Sequence, residues 1–306
     1  MTDAIEVQGL TKRYGNLTAV DDISFSVKSG EVCGILGPNG AGKTTTMEMM
    51  EGLLEPTSGR INVLGLDSHR DTARVKERIG VQLQASAYFE FLTLTEILDL
   101  FGGFYPRHVP AGELLDKFGL SDKANTTVGK LSGGQKQRFT IAATLVNDPE
   151  IIFLDEPTTG LDPQARRNLW EFIQAIHQDG RTIVLTTHYM EEAELLCQRV
   201  AIMDQAKIVS LDTPTSLIRA LPVPYEIKFM TSGDPGQDKL ESLPSVTSVQ
   251  RDGDGMLRLR SSDAARTMES LLQWSGERGV QLSHLEVQPS NLEDVFLSVT
   301  GHELRE

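Results

Sequence analysis

One octapeptide constrains this chain more than any other segment. Gly37-Pro-Asn-Gly-Ala-Gly42-Lys43-Thr44 fits the pattern G-x-x-x-x-G-K-[ST]. It follows a short apolar run, Glu31 to Leu36, and precedes a stretch from 44 to 54 that reads as helix. Strand, glycine loop and helix in that order make a phosphate cradle. Glycines let backbone wrap closely around an anion. Successive N–H groups and the helix N-terminus present positive potential to it. The cradle comprises Gly37, Pro38, Asn39, Gly40, Ala41, Gly42, Lys43, Thr44 and Thr45. In it Lys43 reaches the β- and γ-phosphates, and the Thr44 hydroxyl is a Mg²⁺ ligand.

A second element has the matching chemistry. Ile151-Ile-Phe-Leu-Asp155-Glu156 is four apolar residues followed by two carboxylates. The run predicts a buried strand, and ligand crevices in open α/β sheets lie at the C-terminal ends of strands. Asp155 is placed to hold Mg²⁺, and Glu156 to orient or deprotonate an attacking water.

The third is Leu131-Ser-Gly-Gly-Gln135, ahead of a helix with Phe139, Ala142, Ala143 and Val146 on its apolar side. Ser132 is a good N-cap. Lys136 and Arg138 fall early in that helix, where the dipole disfavours cations. The conflict makes sense if an anion docks there; a plain capped helix after a glycine turn is the alternative.

Around these motifs, apolar runs alternate with helical patterns over about 200 residues, which predicts an α/β fold with a largely parallel sheet. Residues 86–130 read as a helical insert, opened by a capping box at Thr93 and Glu96. Two prolines in Leu221-Pro-Val-Pro224 suit a linker, giving domains at 1–220 and 221–306. Beyond it lies a small α+β unit. Its strands are Tyr225–Met230 and Met256–Arg260, and a helix runs from Ala264 to Gly276. A second capping-box pattern, Ser290 with Glu293, precedes a helical face of Leu292, Val295, Phe296 and Val299.

Composition closes off other classes. The 306 residues carry 29 Lys and Arg against 43 Asp and Glu, a net charge of −14. That acidity argues against a nucleic-acid binder and against electrostatic docking on anionic lipid. The start of the chain has no apolar segment of the secretory kind. No run of 18 apolar residues predicts a membrane span. Two cysteines, Cys33 and Cys197, make no disulfide framework, and no Cys/His set has zinc spacing. A cytosolic, reducing compartment is the default.

In this order the pieces resemble the nucleotide-binding subunit of ABC transporters, over residues 4–215. Ser132, Gly133, Gly134 and Gln135 lie in a segment like the family's LSGGQ signature. Gln84, closing IGVQLQ, resembles the Q-loop glutamine, a Mg²⁺ ligand and catalytic residue; Gln82 on the same strand face is its rival. Tyr14 resembles the aromatic that stacks on adenine, Gly160-Leu161-Asp162 the D-loop, and His188 the switch histidine on the γ-phosphate. The resemblance implies a P-loop NTPase cassette with a mostly parallel core sheet, an antiparallel β subdomain, a helical subdomain and a small C-terminal α+β domain. It implies ATP and Mg²⁺ as cofactors, and two cassettes pairing head to tail so that Ser132, Gly134 and Gln135 of one close over ATP on the other. The implied partner is a separate transmembrane permease, with the chain on the inner face of the cell membrane. The ending SNLEDVFL, followed by Val-Thr-Gly301, resembles bacterial exporter ATPases of the drug-resistance and polysaccharide type. The alternative is a soluble ABC ATPase of translation or DNA repair. Such proteins carry a second cassette, a long coiled coil or a zinc module, none of which is visible here.

Overall fold

The computed structural model describes residues 2–82, 88–232, 236–253 and 255–302. The chain divides into two compact units between Thr213 and Pro214.

The first unit begins with β1 (Asp3–Tyr14) and β2 (Leu17–Lys28), joined by a two-residue turn with Gly15 at φ +59°. β2 alternates as expected, with Ile23, Phe25 and Val27 all buried. Then come β3 (Val32–Leu36), α1 (Lys43–Met50), β4 (Ser58–Val63), β5 (Leu66–Asp67), α2 (Thr72–Lys76) and β6 (Ile79–Gln82). The expected helical insert contains α3 (Leu94–Gly102) and α4 (Ala111–Lys117), with single turns at Ser121–Lys123 and Val128–Lys130. Thr93 and Glu96 form the anticipated reciprocal cap at its start. Next are α5 (Gly133–Thr144), β7 (Ile151–Asp155), α6 (Pro163–Gln178), β8 (Thr182–Thr187), α7 (Met190–Leu196), β9 (Arg199–Asp204) and β10 (Lys207–Asp212).

These strands make two sheets. One is antiparallel, in the order β2-β1-β4-β5. The other, β10-β9-β3-β8-β7-β6, is parallel except for β10 at its edge. β3, β7 and β8 are buried along their whole length, which is why they are apolar runs rather than alternating ones. One core joins the sheets: Val20 and Val27 from the antiparallel layer, Met47 from α1, and Phe153 and Val184 from the parallel one. Each such side chain contributes about 1.5–3 kcal/mol by burial. Parallel register aligns the C-terminal ends of β3, β8 and β7, pairing Leu36 with Thr187 and Asp155 with Thr186. That alignment builds the site.

The second unit contains α8 (Pro214–Arg219), β11 (Tyr225–Thr231), α9 (Gln237–Glu241), β12 (Val246–Arg251), β13 (Leu257–Ser261), α10 (Ala264–Arg278), β14 (Leu282–Pro289) and α11 (Leu292–Thr300). Its sheet is antiparallel, in the order β12-β13-β11-β14. With β11-α9-β12-β13-α10-β14 along the chain, this is the ferredoxin-like arrangement. Ile227, Phe229, Leu257 and Leu259 of the sheet pack on Leu271 and Trp274 of α10.

Two local expectations shift. The prolines at 222 and 224 do not mark the division between units. Pro214 instead starts α8, where proline's fixed φ suits a first helical turn, and α8 packs against α11 in the second unit. The C-terminal capping box lies one residue later than Ser290 and Glu293. Asn291 accepts from the N–H groups of Glu293 and Asp294, and Asp294 answers it. Leu292, Val295 and Phe296 are buried as expected, but Val299 is exposed.

Candidate functional site

The phosphate loop leaves β3 where neighbouring backbone crowds it. A Cβ on Gly37 would lie 2.2 Å from the Met203 carbonyl oxygen. One on Gly42, at φ +105°, would lie 2.3 Å from that of Ala19. Larger residues are therefore excluded at both ends of the loop. Lys43 opens α1, 4% exposed, and its Nζ donates to the carbonyls of Gly37 (2.8 Å) and Pro38 (3.1 Å). It also lies 3.4 Å from Glu156 Oε1. Burial lowers the Lys43 pKa, and the charges of Glu156 and Asp155 offset only part of that.

At the end of β7, Asp155 is buried and Glu156 turns outward at φ +46°, a left-handed conformation unusual for a side-chain-bearing residue. Thr186, opposite on β8, holds both: its hydroxyl donates to Asp155 Oδ1 and accepts from the Glu156 N–H at 3.0 Å. The Thr44 hydroxyl lies 3.1 and 3.3 Å from the Asp155 oxygens. The Glu156 carboxyl is set between Lys43 and His188 Nδ1, the latter 3.4 Å from Oε2, and accepts from the Thr159 hydroxyl at 3.1 Å. Burial raises its pKa, but Lys43, His188 and Thr159 outweigh burial and hold it below the ordinary value. Glu156 is thus an ionised acceptor at neutral pH.

The cradle, Thr44, Asp155, Glu156 and His188 come together at one sheet edge. Tyr14 ends β1, 48% exposed, and the Lys12 ammonium lies 5.1 Å from its ring centre. Gln84 lies outside the described residues. Its rival, Gln82, is 3% exposed, with Nε2 3.5 Å from the Asp155 carbonyl oxygen.

The glycine-rich helix start is different. Ser132 caps α5 and forms a capping box with Gln135: the Ser132 N–H donates to Gln135 Oε1 at 3.0 Å, and the Gln135 N–H to Ser132 Oγ at 3.3 Å. Ser132 and Gly133 are exposed. Arg138 resolves part of the dipole conflict locally. Its guanidinium donates to the Phe118 carbonyl at 2.9 Å, at the C-terminal end of α4, and lies over the Phe172 ring. Only Lys136, exposed, remains as a cation the dipole disfavours. Asp162 caps α6 by accepting from the N–H groups of Gln164 and Ala165.

Sequence reasoning missed Thr186 and Thr159. Thr186 sits in LTTH, where a parallel register of β8 against β7 would have placed it opposite Asp155.

Comparisons with known proteins place the fold in a family. The family described as ABC transporter matches residues 20–159, and the one described as ABC transporter domain-containing protein-like, C-terminal domain, matches 235–290. The linearmycin resistance ATP-binding protein of Bacillus subtilis (strain 168) is 36% identical, the match spanning 99% of this chain and 100% of that one. The Nod factor export ATP-binding protein I of Ralstonia nicotianae is 37% identical over 100% of this chain and 96% of its own. Among solved structures, a dimeric bacterial ABC transporter cassette superposes with a TM-score of 0.62 at 27% identity, over 68% of this chain and 98% of that one. The same cassette bound to ADP and Pi in a post-hydrolysis dimer matches at 26% identity with a TM-score of 0.62, over 68% of this chain and 98% of that one. Whole-length relatives of the export kind favour that reading over the soluble alternative. The chain therefore belongs to the ABC transporter family, as an ATP-binding and ATP-hydrolysing cassette subunit of the exporter type.

Proposed function

We propose that this chain binds Mg-ATP at its phosphate loop and hydrolyses it in a head-to-tail dimer, driving export through a separate transmembrane permease. The observation that carries the reading is the Glu156 carboxylate, ionised and held between Lys43 and His188 at the mouth of the loop.

The adenine stacks on Tyr14, and N–H groups of the loop from Gly37 to Thr45 receive the phosphates. Lys43 exchanges its carbonyl partners for β- and γ-phosphate oxygens. Glu156 aligns a water on the γ-phosphorus and takes its proton as the new P–O bond forms and the bond to the ADP oxygen breaks. His188 holds the γ-phosphate against that carboxylate. Adjacent hard oxygens from Thr44 and Asp155 suit Mg²⁺, and no cluster of three His, Cys, Asp or Glu among the described residues could hold a metal alone. Thr44, Asp155 and Gln84 would hold the ion, which would neutralise phosphate charge. Ser132, Gly133, Gly134 and Gln135 bring an anion-seeking helix start to the ATP of the partner cassette. Residues beyond 213 act as an accessory dimerisation or regulatory domain. No helix among the described residues is long and apolar enough to cross a membrane. By its likeness to transporter ATP-binding subunits, we place the chain in the cytoplasm, against the inner face of the membrane through its permease; its net charge of −14 argues against a nucleic-acid partner.

The test is the ATPase rate against protein concentration at saturating Mg-ATP, for the wild type and Ser132→Arg. A rate that curves upward, and loses its curvature in Ser132→Arg, is expected. A rate linear in protein and indifferent to Ser132 would remove the trans mechanism.

A further inference from the structure

One buried carboxyl near the site has no part in the scheme above. Glu192, in the first turn of α7, is 0% exposed. Trp170, on α6, donates its indole N–H to Glu192 Oε1 at 2.9 Å. The Thr187 and Thr158 hydroxyls and the Arg166 charge lie beside the carboxyl. Its other oxygen, Oε2, and the Thr158 hydroxyl are both buried.

These residues join three segments. Thr158 lies in the turn between Glu156 and the D-loop. Trp170 belongs to α6, whose N-cap is Asp162 of that D-loop. Glu192 lies four residues after His188. A second strut runs parallel: the Arg166 guanidinium sits 3.9 Å from the centre of the Tyr189 ring, whose centre is itself 4.1 Å from that of the His188 ring, the two tilted by 44°. The first turns of α6 thus grip the switch loop at Tyr189 and at Glu192, on either side of one helical turn. A buried carboxyl is costly to keep. An apolar residue would pack there at less cost, but would give the indole N–H nothing to bind.

We propose that Glu192 is a positioning residue for ATP hydrolysis, through which α6 and the D-loop hold the switch loop so that His188 faces Glu156. This rests on the roles given above to His188 and Glu156. A displacement of about 1 Å in such a constellation can cost on the order of 100-fold in rate. The phosphate loop, which receives most of the nucleotide in the scheme above, is a separate element, so KM should change far less than kcat.

The experiment compares full-length wild type, Glu192→Ala, Glu192→Gln and Glu156→Gln, with rates normalised to bound nucleotide so that unfolded chain does not count. Glu192→Ala should lower kcat about tenfold or more with KM for ATP within about twofold. Glu192→Gln, which still accepts from Trp170, should recover most of the rate. If Glu192→Ala does not fold, Trp170→Phe takes its place, and a severalfold fall in kcat at constant KM is expected. A wild-type kcat in the folded variant, a fall that appears equally in KM, or a Gln variant as slow as Ala overturns the proposal. Glu156→Gln separates the two levels. If it still turns over, the catalytic reading has failed; if it is dead while Glu192→Ala is normal, only the positioning role has.

Discussion

At the sheet edge, polar groups find partners far away in the chain. Lys43 meets Glu156, Thr44 meets Asp155, and Thr186 meets both carboxylate residues. At the start of α5 they find partners three residues away: Ser132 and Gln135 satisfy one another. The first region is buried, charged and built by strand register. The second is exposed, neutral at its tip and built by a local cap. The difference teaches which half of the machine is finished within one chain. The phosphate edge is under electrostatic tension: buried carboxylates crowd one another, and burial disfavours the Lys43 ammonium, which a bound phosphate would stabilise. The capped helix is at rest, and its exposed N–H groups can only gain from an anion brought to them.

The sharpest way to break this contrast is at Glu156. Glu156→Gln keeps the shape and removes the charge between Lys43 and His188. Turnover should fall on the order of 100-fold or more, while ATP still binds. Steady-state hydrolysis and gel filtration with Mg-ATP check both; the variant should elute as a dimer, because the closed state cannot discharge. A variant that hydrolyses normally would show that the buried trio is structural.

Lys43→Ala comes next. A hydrogen bond to a charged group is worth about 1.5–3 kcal/mol, so ATP affinity should weaken about 10- to 100-fold. Calorimetry reads it directly, and an unchanged Kd would contradict the role given to the ammonium.

The contrast also explains what could be read in advance. Local devices were legible: the glycine loop, the cap at Thr93, the cap at Ser132, and the apolar run that ends in Asp155. Their causes lie within a few residues. What depends on register or topology was not. Thr186 becomes a site residue only once β8 lies parallel to β7. Glu192 reads as an ordinary acid on a helix until α6 covers it. The strand order of the second unit has no local signature, and nothing local marks β12 or β14. Proline chemistry misled at 222 and 224 because a kinked connection within a unit looks like one between units. Asn291 is hidden in the sequence because Ser290 also fits the pattern, and only backbone angles distinguish adjacent caps.

A smaller effect tests whether the phosphate edge carries electrostatic tension away from Glu156. Glu51, at the end of α1, is 2% exposed, and its Oε2 has no hydrogen-bond partner among the described residues. Burial, with the charges of Asp155 and Glu48, raises its pKa from 4.5 to about 8. Between those values the folded chain holds a proton that the unfolded chain has released. Stability therefore falls as pH rises through that window. Glu51→Gln removes the dependence. Thermal unfolding from pH 5 to pH 8 should show the wild type losing on the order of 10 °C relative to the variant, since about 1.4 kcal/mol is lost per pH unit and about 1 kcal/mol moves Tm by roughly 2–4 °C at this size. Parallel curves would mean that Glu51 is ionised in the folded chain.

The smallest effect sharpens the other side. Ser132→Ala removes the cap of α5, at a cost of about 1 kcal/mol. Ser132→Asp should cost almost nothing, because aspartate caps a helix as well as serine and its charge suits the dipole. If α5 were only a capped helix, Ser132→Asp would hydrolyse ATP like the wild type. If its N-terminus must receive a phosphate from a second chain, the new carboxylate occupies that field and repels the anion. Stability would then be preserved while the upward curvature of rate with protein concentration disappears. Denaturant unfolding and the concentration series on the same preparation separate the cap from the anion site. A stable Ser132→Asp chain that keeps its cooperative rate would return α5 to the status of a helix with a good cap.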